Sequence, residues 1–358
     1  MKQQCAYFLF CLANVITLGG AAHGQSGINS TTEQIEQRYT EGTDHYEHNF
    51  EAFQSTQQID EPFHYDLSPL ASYLESVMRG NTDPAIRQLA AVYLPNLRGY
   101  DVALKPSVYK DVARIVPADS ALWKKVAGPG SIFYVASGLP PSDARQFLNS
   151  IIAQNPDPSI QGRALIELSK VAHRLNDPRL CAATFERLDA YKDIDNLGFE
   201  IKLLNPNNKT AIGKDAPIFT LPEIVEGAVA QFSNKSLAGK FYLIDFWATW
   251  CGPCMGERVA LSRAYQSFHG TKFEIVSISA DKTQEAVSRY RKTHWSMPWV
   301  NLFLDGGLKD PVAQEFDVNW IGLPQLVLVN PSGKIIALRD ELDRDVLSQT
   351  LAHYVGGR

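Results

Sequence analysis

Apolar positions recur along the chain with two different periods, and the change falls near residue 206. Over 61–205 the spacing is helical. In DPAIRQLAAVYL, Ile86, Leu89, Ala90, Val92 and Tyr93 return every few residues behind Asp83, a capping type, and Pro84, suited to the first helical position. DPSIQGRALIELSKVAHRL repeats the device with Asp157, Pro158, Ile160, Leu165, Leu168 and Val171, and NDPRLCAATFERLDAYK does so again from Asp177 and Pro178. PPSDARQFLNSIIAQ predicts a further helix, capped by Ser142 or Asp143. The recurring Asn-x-Asp-Pro-x-Ile at 81 and 155 points to stacked, solenoid-like hairpins, unless Asp-Pro is simply a good helix start used three times. An all-helical domain is expected over 61–205.

The segment NPNNKTAIGKDAP (205–217) is polar and rich in turn formers, which marks a boundary. Beyond it, FYLIDFW (241–247) and KFEIVSIS (272–279) are apolar runs of strand length. QLVLVN and KIIALR flank the turn PSG as a hairpin, and helical stretches are expected at 252–268, 283–293, 308–316 and 341–355. This order predicts an α/β domain over 206–358, with a mixed sheet carrying helices on both faces. The fold class expected for the chain is α + α/β.

The N-terminal stretches break both patterns. Residues 25–60 are dominated by Gln, Ser, Thr and Glu with few large aliphatics, and read as a polar linker or tail. Its His45 and His48 lack a firm third ligand for a metal. Residues 1–24 place Lys2 before an apolar run from Ala6 to Leu18, then small residues ending in Ala22-x-Gly24. That is the layout of a cleavable secretory signal cut near Gln25. Asn14 and Thr17 interrupt the run too early for a membrane anchor, so export without a remaining membrane span is expected.

Composition narrows the function by exclusion. The 358 residues carry a net charge of −5 and are 45% hydrophobic, so neither sign dominates and no case arises for a nucleic-acid or anionic-lipid partner. Cys5 and Cys11 leave with the signal, and the remaining Cys181, Cys251 and Cys254 do not make a structural disulfide framework. Cys181, between Leu180 and Ala182, reads as a buried small hydrophobe.

The chemistry concentrates in FWATWCGPCMGE (246–257). A zinc site would need a second Cys or His pair, and none stands at recognisable spacing. A structural bridge between Cys251 and Cys254 would close a loop of two residues and constrain little. A redox couple fits better. Cys251 follows a buried strand and opens a helix, where unpaired N–H groups and the helix dipole favour a thiolate. Cys254, one turn on, is placed to resolve a mixed disulfide. Gly252 permits close approach of a partner backbone, and Pro253 suits the first turn. Asp245, in the apolar strand, should have a raised pKa and exchange a proton with the inner thiol, unless it is only a strand-end residue. Glu257 shares the flank of Cys254 by helical spacing, or lies on a solvated helix face. No HExxH, GxSxG or phosphate-binding glycine loop is present.

GKFYLIDFWATWCGPC resembles the active-site strand and helix of the thioredoxin superfamily. IGKDAPIFTLPEI, SADKTQEAVSRYRKTHWSMPWVNLFLD and GLPQLVLVNPSGKI are similar to segments of its exported TlpA/ResA-like branch. The likeness covers about residues 212–355 and says nothing of 25–205. It implies a thioredoxin-like three-layer α/β domain, with Cys251 attacking, Cys254 resolving, Asp245 as the buried acid and Glu257 as the acidic residue that follows the second cysteine. It also implies that Pro324, in IGLPQ, is a cis-proline facing the disulfide. Trp250, Gly252, Pro253, Leu323 and Pro324 would then form the surface a client meets. The chain departs from the pattern in carrying both acids, in Met255 where a basic residue is common, and in Leu323 and Gln325 where threonine is frequent beside the proline.

The resemblance implies client protein disulfides and a DsbD-like membrane electron donor as partners, with no cofactor and no metal. Gly-Pro between the cysteines resembles reducing members. The expected function is an exported, by default periplasmic, thiol–disulfide reductase, with apocytochrome c maturation as one client pathway. A disulfide oxidase or isomerase, a peroxidase of the same fold, and a scaffold whose helical domain binds clients stand as alternatives.

Overall fold

The computed structural model describes residues 31–55, 65–100, 102–126, 130–175, 177–194, 197–225, 228–270, 272–344 and 346–356. The expected signal peptide, 1–24, lies outside the described residues. The first half is helical: α1 (Thr31–Ser55), α2 (Ser68–Gly80), α3 (Pro84–Tyr93), α4 (Pro106–Ile115), α5 (Gly130–Gly138), α6 (Pro141–Gln154), α7 (Pro158–Arg174), α8 (Pro178–Leu188) and α9 (Leu197–Leu203). A 3-10 segment, Leu94–Tyr100, continues α3.

The Asp-Pro starts act as helix caps. Asp83 accepts from the Ala85 N–H, Asp157 from the Ser159 N–H and Asp177 from the Leu180 N–H. The two Asn-x-Asp-Pro segments share one geometry, because Asn81 accepts from the Asp83 N–H at 2.8 Å and Asn155 from the Asp157 N–H at 3.0 Å. Helix α6 differs from expectation. It begins at Pro141 with Pro140 as N-cap and no side-chain cap, so Ser142 and Asp143 fall inside its first turn. Pro141 supplies the helical φ before either capping residue is reached.

The larger correction concerns the expected polar tail. Residues 31–55 form a helix, and Ile35, Tyr39, Tyr46 and Phe50 are buried in the helical core. Their spacing of four, seven and four residues keeps them on one face. Apolar density is low there, but three of the four anchors are aromatic and bury a large area each. The cluster that begins with Ile35 runs without a break through Leu94, Leu97, Leu148 and Leu165 to Ile201.

The second half contains β1 (Thr220–Val225), β2 (Ala228–Ser233), β3 (Phe241–Trp247), α10 (Gly252–Phe268), β4 (Phe273–Ser279), α11 (Gln284–Thr293), β5 (Val300–Phe303), α12 (Pro311–Glu315), α13 (Val318–Ile321), β6 (Gln325–Val329), β7 (Ile335–Leu338) and α14 (Leu347–Tyr354). The described strands form one seven-stranded sheet in the order β2-β1-β5-β4-β3-β6-β7. Strands β3, β4 and β5 run parallel, and β6, β7 and the β1–β2 hairpin are antiparallel to their neighbours. This is the expected mixed sheet, built into α + α/β. One apolar cluster on its first face holds Leu243, Trp247, Ile275 and Leu328, and a second on the other face holds Ile244, Phe246, Val276 and Val327.

The two halves are packed together. Val259 of α10 lies against the helical cluster, and Phe133 and Tyr134 of α5 meet Val346. Lys202 sits 4.1 Å over the Trp320 ring, and the Thr210 N–H donates to Asp317 at 2.8 Å. Among the described residues, no helix is long and apolar enough to cross a membrane.

Ile35→Ala removes a fully buried side chain. It is expected to destabilise the protein by about 2–4 kcal/mol in urea unfolding followed by circular dichroism. A change within about 0.5 kcal/mol would mean that α1 is not part of the core.

Candidate active site

All seven residues of β3 are buried. The chain leaves the sheet after Trp247, crosses Ala248–Trp250 and enters α10 at Gly252. Asp281, just past β4, fixes this crossing: it accepts from the Thr249 N–H at 3.0 Å and the Thr249 hydroxyl at 2.6 Å. The Ser279 hydroxyl steadies the same carboxylate at 2.8 Å. Cys251 therefore arrives as the N-cap of α10, and its Sγ accepts from the Cys254 N–H at 3.2 Å. The two cysteines are joined as a disulfide, with Cα atoms 5.3 Å apart. Both belong to the apolar cluster that contains Trp247 and Leu326.

The surroundings of the pair are asymmetric. Cys251 and Cys254 are buried, whereas Trp250 beside them is 59% exposed. A methyl group on Gly252 would meet nothing within 4 Å, so the fold itself does not demand glycine there. Pro253 occupies the first helical turn and is half-buried. The Leu323–Pro324 peptide is cis, and both residues are half-buried, with Leu323 touching the apolar clusters on both faces of the sheet.

Asp245 alternates with Leu243 and Trp247, which places it on the sheet face that carries the cysteines. It is 1% exposed. In the register it faces Ser277 of β4, whose hydroxyl donates to Asp245 Oδ2 at 2.8 Å. Trp299 Nε1 in turn donates to Ser277 Oγ at 2.8 Å. Burial pushes the Asp245 carboxyl up to about 7, against a smaller downward pull from the Ser277 hydrogen bond. The group is therefore divided between its acid and base forms at neutral pH, which suits it to exchange a proton with a thiol.

Glu257 is 7% exposed, so it does not lie on a solvated helix face. Met255, where the resemblance favours a base, accepts from the Tyr290 hydroxyl at 2.7 Å. Tyr290 also packs its ring 5.4 Å from Trp247. Cys181 stands apart. It is a free, half-buried thiol with Sγ 3.6 Å from His173 Nδ1, less enclosed than a core residue. Burial pushes the Cys181 thiol up and the His173 imidazole down, which leaves both neutral near pH 7.

Three residues of this arrangement escape a reading of the sequence: Ser277, Trp299 and Asp281. The signal for Ser277, and for Asp281 as the partner of Ser279, is the polar alternation in EIVSIS, where Ser277 and Ser279 interrupt an otherwise apolar strand on one face. Such hydroxyls need partners when buried, and here the partners are the two aspartates.

Residues 239–335 match the family profile described as Thioredoxin-like. The thiol–disulfide oxidoreductase ResA of Bacillus thuringiensis (strain Al Hakam) is 33% identical over 134 residues, 36% of this chain and 69% of that protein. ResA of Bacillus subtilis (strain 168) is 32% identical over 124 residues, 35% of this chain and 64% of its own. The solved thioredoxin domain of a thiol–disulfide oxidoreductase from Bacteroides vulgatus superposes with a TM-score of 0.37 and 28% identity, covering 41% of this chain and 99% of that one.

The raised carboxyl makes a prediction with a definite sign. The unfolded chain ionises Asp245 from about pH 4 upward, and the folded chain only near about 7. The folded state binds the extra proton in that window, so stability falls from pH 4 to pH 7 and stays low above it. Asp245→Asn is expected to stabilise the oxidised protein by up to about 4 kcal/mol above pH 7 and to leave it unchanged near pH 4. Urea unfolding at the two pH values measures this, and equal stabilities at pH 8 would show a solvated carboxylate.

Proposed function

The chain belongs, through its C-terminal domain, to the thioredoxin-like family of thiol–disulfide oxidoreductases that includes ResA, and we propose that it is an exported reductase of disulfide bonds in client proteins. The observation that carries this reading is the geometry: a disulfide at a helix N-terminus with the buried Asp245 on the same sheet face, its carboxyl pushed up to about 7 by burial. Gly-Pro between the cysteines and the resemblance of the chain to exported relatives support the direction and the compartment.

In the reduced form, the Cys251 thiolate is favoured by the Cys254 N–H and the start of α10. It attacks a client disulfide at one sulfur, forms a mixed disulfide, and releases the other client sulfur as a thiolate that takes up a proton. Cys254 then loses its proton to the Asp245 carboxylate and attacks Cys251 Sγ. The client leaves as a dithiol, and the Cys251–Cys254 disulfide remains. Two electrons have passed to the client, and a reductant outside the chain must return them. A membrane donor that carries electrons outward meets that need. Trp250, Gly252, Pro253, Leu323 and Pro324 offer the client a partly apolar rim, and Glu257 lies buried three residues beyond Cys254.

With dithiothreitol as electron source, the full chain is expected to reduce insulin disulfides, and Cys251→Ser to abolish the reaction. Cys254→Ser should accumulate the mixed disulfide. In single-turnover experiments, release of the client from Cys251 should speed up with pH through about 7. Asp245→Asn should slow that step by roughly 10²-fold at pH 7 and remove the inflection. Efficient oxidation of reduced ribonuclease with no insulin reduction would reverse the proposal.

A further inference from the structure

Arg98, in the 3-10 segment after α3, stands where the helical domain meets α10. It is 4% exposed. Its Nη1 donates to the Ser137 hydroxyl at 2.9 Å, and the Tyr109 hydroxyl is a second neighbour. Its Nε is enclosed with no acceptor. The charged or titratable groups that act on it are Tyr109, Tyr134 and another cation, Arg174. Among the described residues, none of them is a carboxylate. Arg174 itself donates to the Ala136 carbonyl at the end of α5, at 3.0 Å.

Two other enclosed cations of the helical domain are matched. Arg163 grips both carboxylate oxygens of Glu200, and Lys170 lies 3.1 Å from Glu167. A buried guanidinium without a negative partner is costly, and a protein that keeps one generally has an anion to put beside it. Burial pulls the Arg98 pKa down, in keeping with that cost.

Arg98 borders a cavity of about 200 Å³ that reaches α10 at Gly256, two residues past Cys254. Arg263 of α10 and Arg344, Ser348 and Gln349 of the α14 region line the same space, and no Asp or Glu does so among the described residues. Arg344 lies 5.0 Å from the Phe50 ring and 3.9 Å from Glu47, which is not a lining residue. Three guanidinium forks, a hydroxyl and an amide can all donate hydrogen bonds to anionic oxygens.

We propose that this cavity is a binding site for a small oxyanion, with phosphate or carboxylate oxygens, held between Arg98 of the helical domain and Arg263 of the redox helix. The volume suits a tetrahedral anion or a short dicarboxylate rather than a nucleotide. Because the ligand bridges the two domains, its occupancy holds the helical domain on α10. The site is independent of the direction in which the cysteines pass electrons.

The test is calorimetric titration of the oxidised full chain with inorganic phosphate and with succinate, sodium chloride being adjusted to constant ionic strength. Thermal unfolding is followed in the same buffers. A saturable heat and a saturable rise in Tm are expected for at least one anion, and the one that saturates at lower concentration identifies the chemistry. Arg263→Gln should weaken binding about tenfold, and Arg98→Met should do at least as much. Should Arg98→Met not fold, Arg263→Gln, altered at a half-buried helical position, decides alone. No saturable response to either anion, or one unchanged in Arg263→Gln, would overturn the proposal.

Discussion

The site depends on an abrupt change from central strand to helix between Trp247 and Gly252. Strand β3 is hydrogen-bonded to β4 on one side and β6 on the other, and neither face reaches water. It has no freedom to shift when the cysteines react. The chain must turn into α10 within a few residues, and Asp281 holds Thr249 to fix that turn. Cys251 is thereby delivered to the first N–H groups of a helix, where a thiolate is favoured. The same burial of β3 leaves Asp245 desolvated, with the Ser277 hydroxyl as a hydrogen-bond donor and no cation acting on it among the described residues. A thiolate on Cys254 and an ionised Asp245 on one buried face would repel each other. Under the proposed function one proton would pass between them, which would link the stability of the fold to the chemistry of the pair.

The helical domain bears on the same helix from the side. Val259 is packed into the helical cluster, α5 meets Val346, and Lys202 caps Trp320 of α13. Trp250 and Gly252, at the start of α10, remain exposed. One flank of the redox helix is therefore sealed while its N-terminal rim is open. Under the proposed function, that rim is where a client segment would dock without displacing the helical domain.

Much of this is legible in the residues. Strand β3, helix α10 and the β6–β7 hairpin carry patterns that one period explains, and the Asp-Pro starts of α3, α7 and α8 carry their own caps. The cysteine pair, the buried aspartate and the proline of IGLPQ are conspicuous as well. What escapes is governed by long-range pairing. Strand β5 has only four residues and β1 holds a proline, and although β1 and β2 form a local hairpin, β1 joins the sheet by pairing with β5 far along the chain. Ser277 and Trp299 acquire meaning only when β4 sets Ser277 opposite Asp245. Helix α1 is hidden for another reason: its anchors are sparse and mostly aromatic, so composition suggests a tail while spacing specifies a buried face. The surroundings of Arg98 emerge only on folding, because Ser137 and Arg174 come to it from far along the chain.

The most direct test is the equilibrium reduction potential of the Cys251–Cys254 couple in the full chain, titrated in thiol redox buffers and read by alkylation. A reductase fed from an outside donor should lie near or below about −220 mV. A value near about −120 mV would place the couple among disulfide donors and contradict the account.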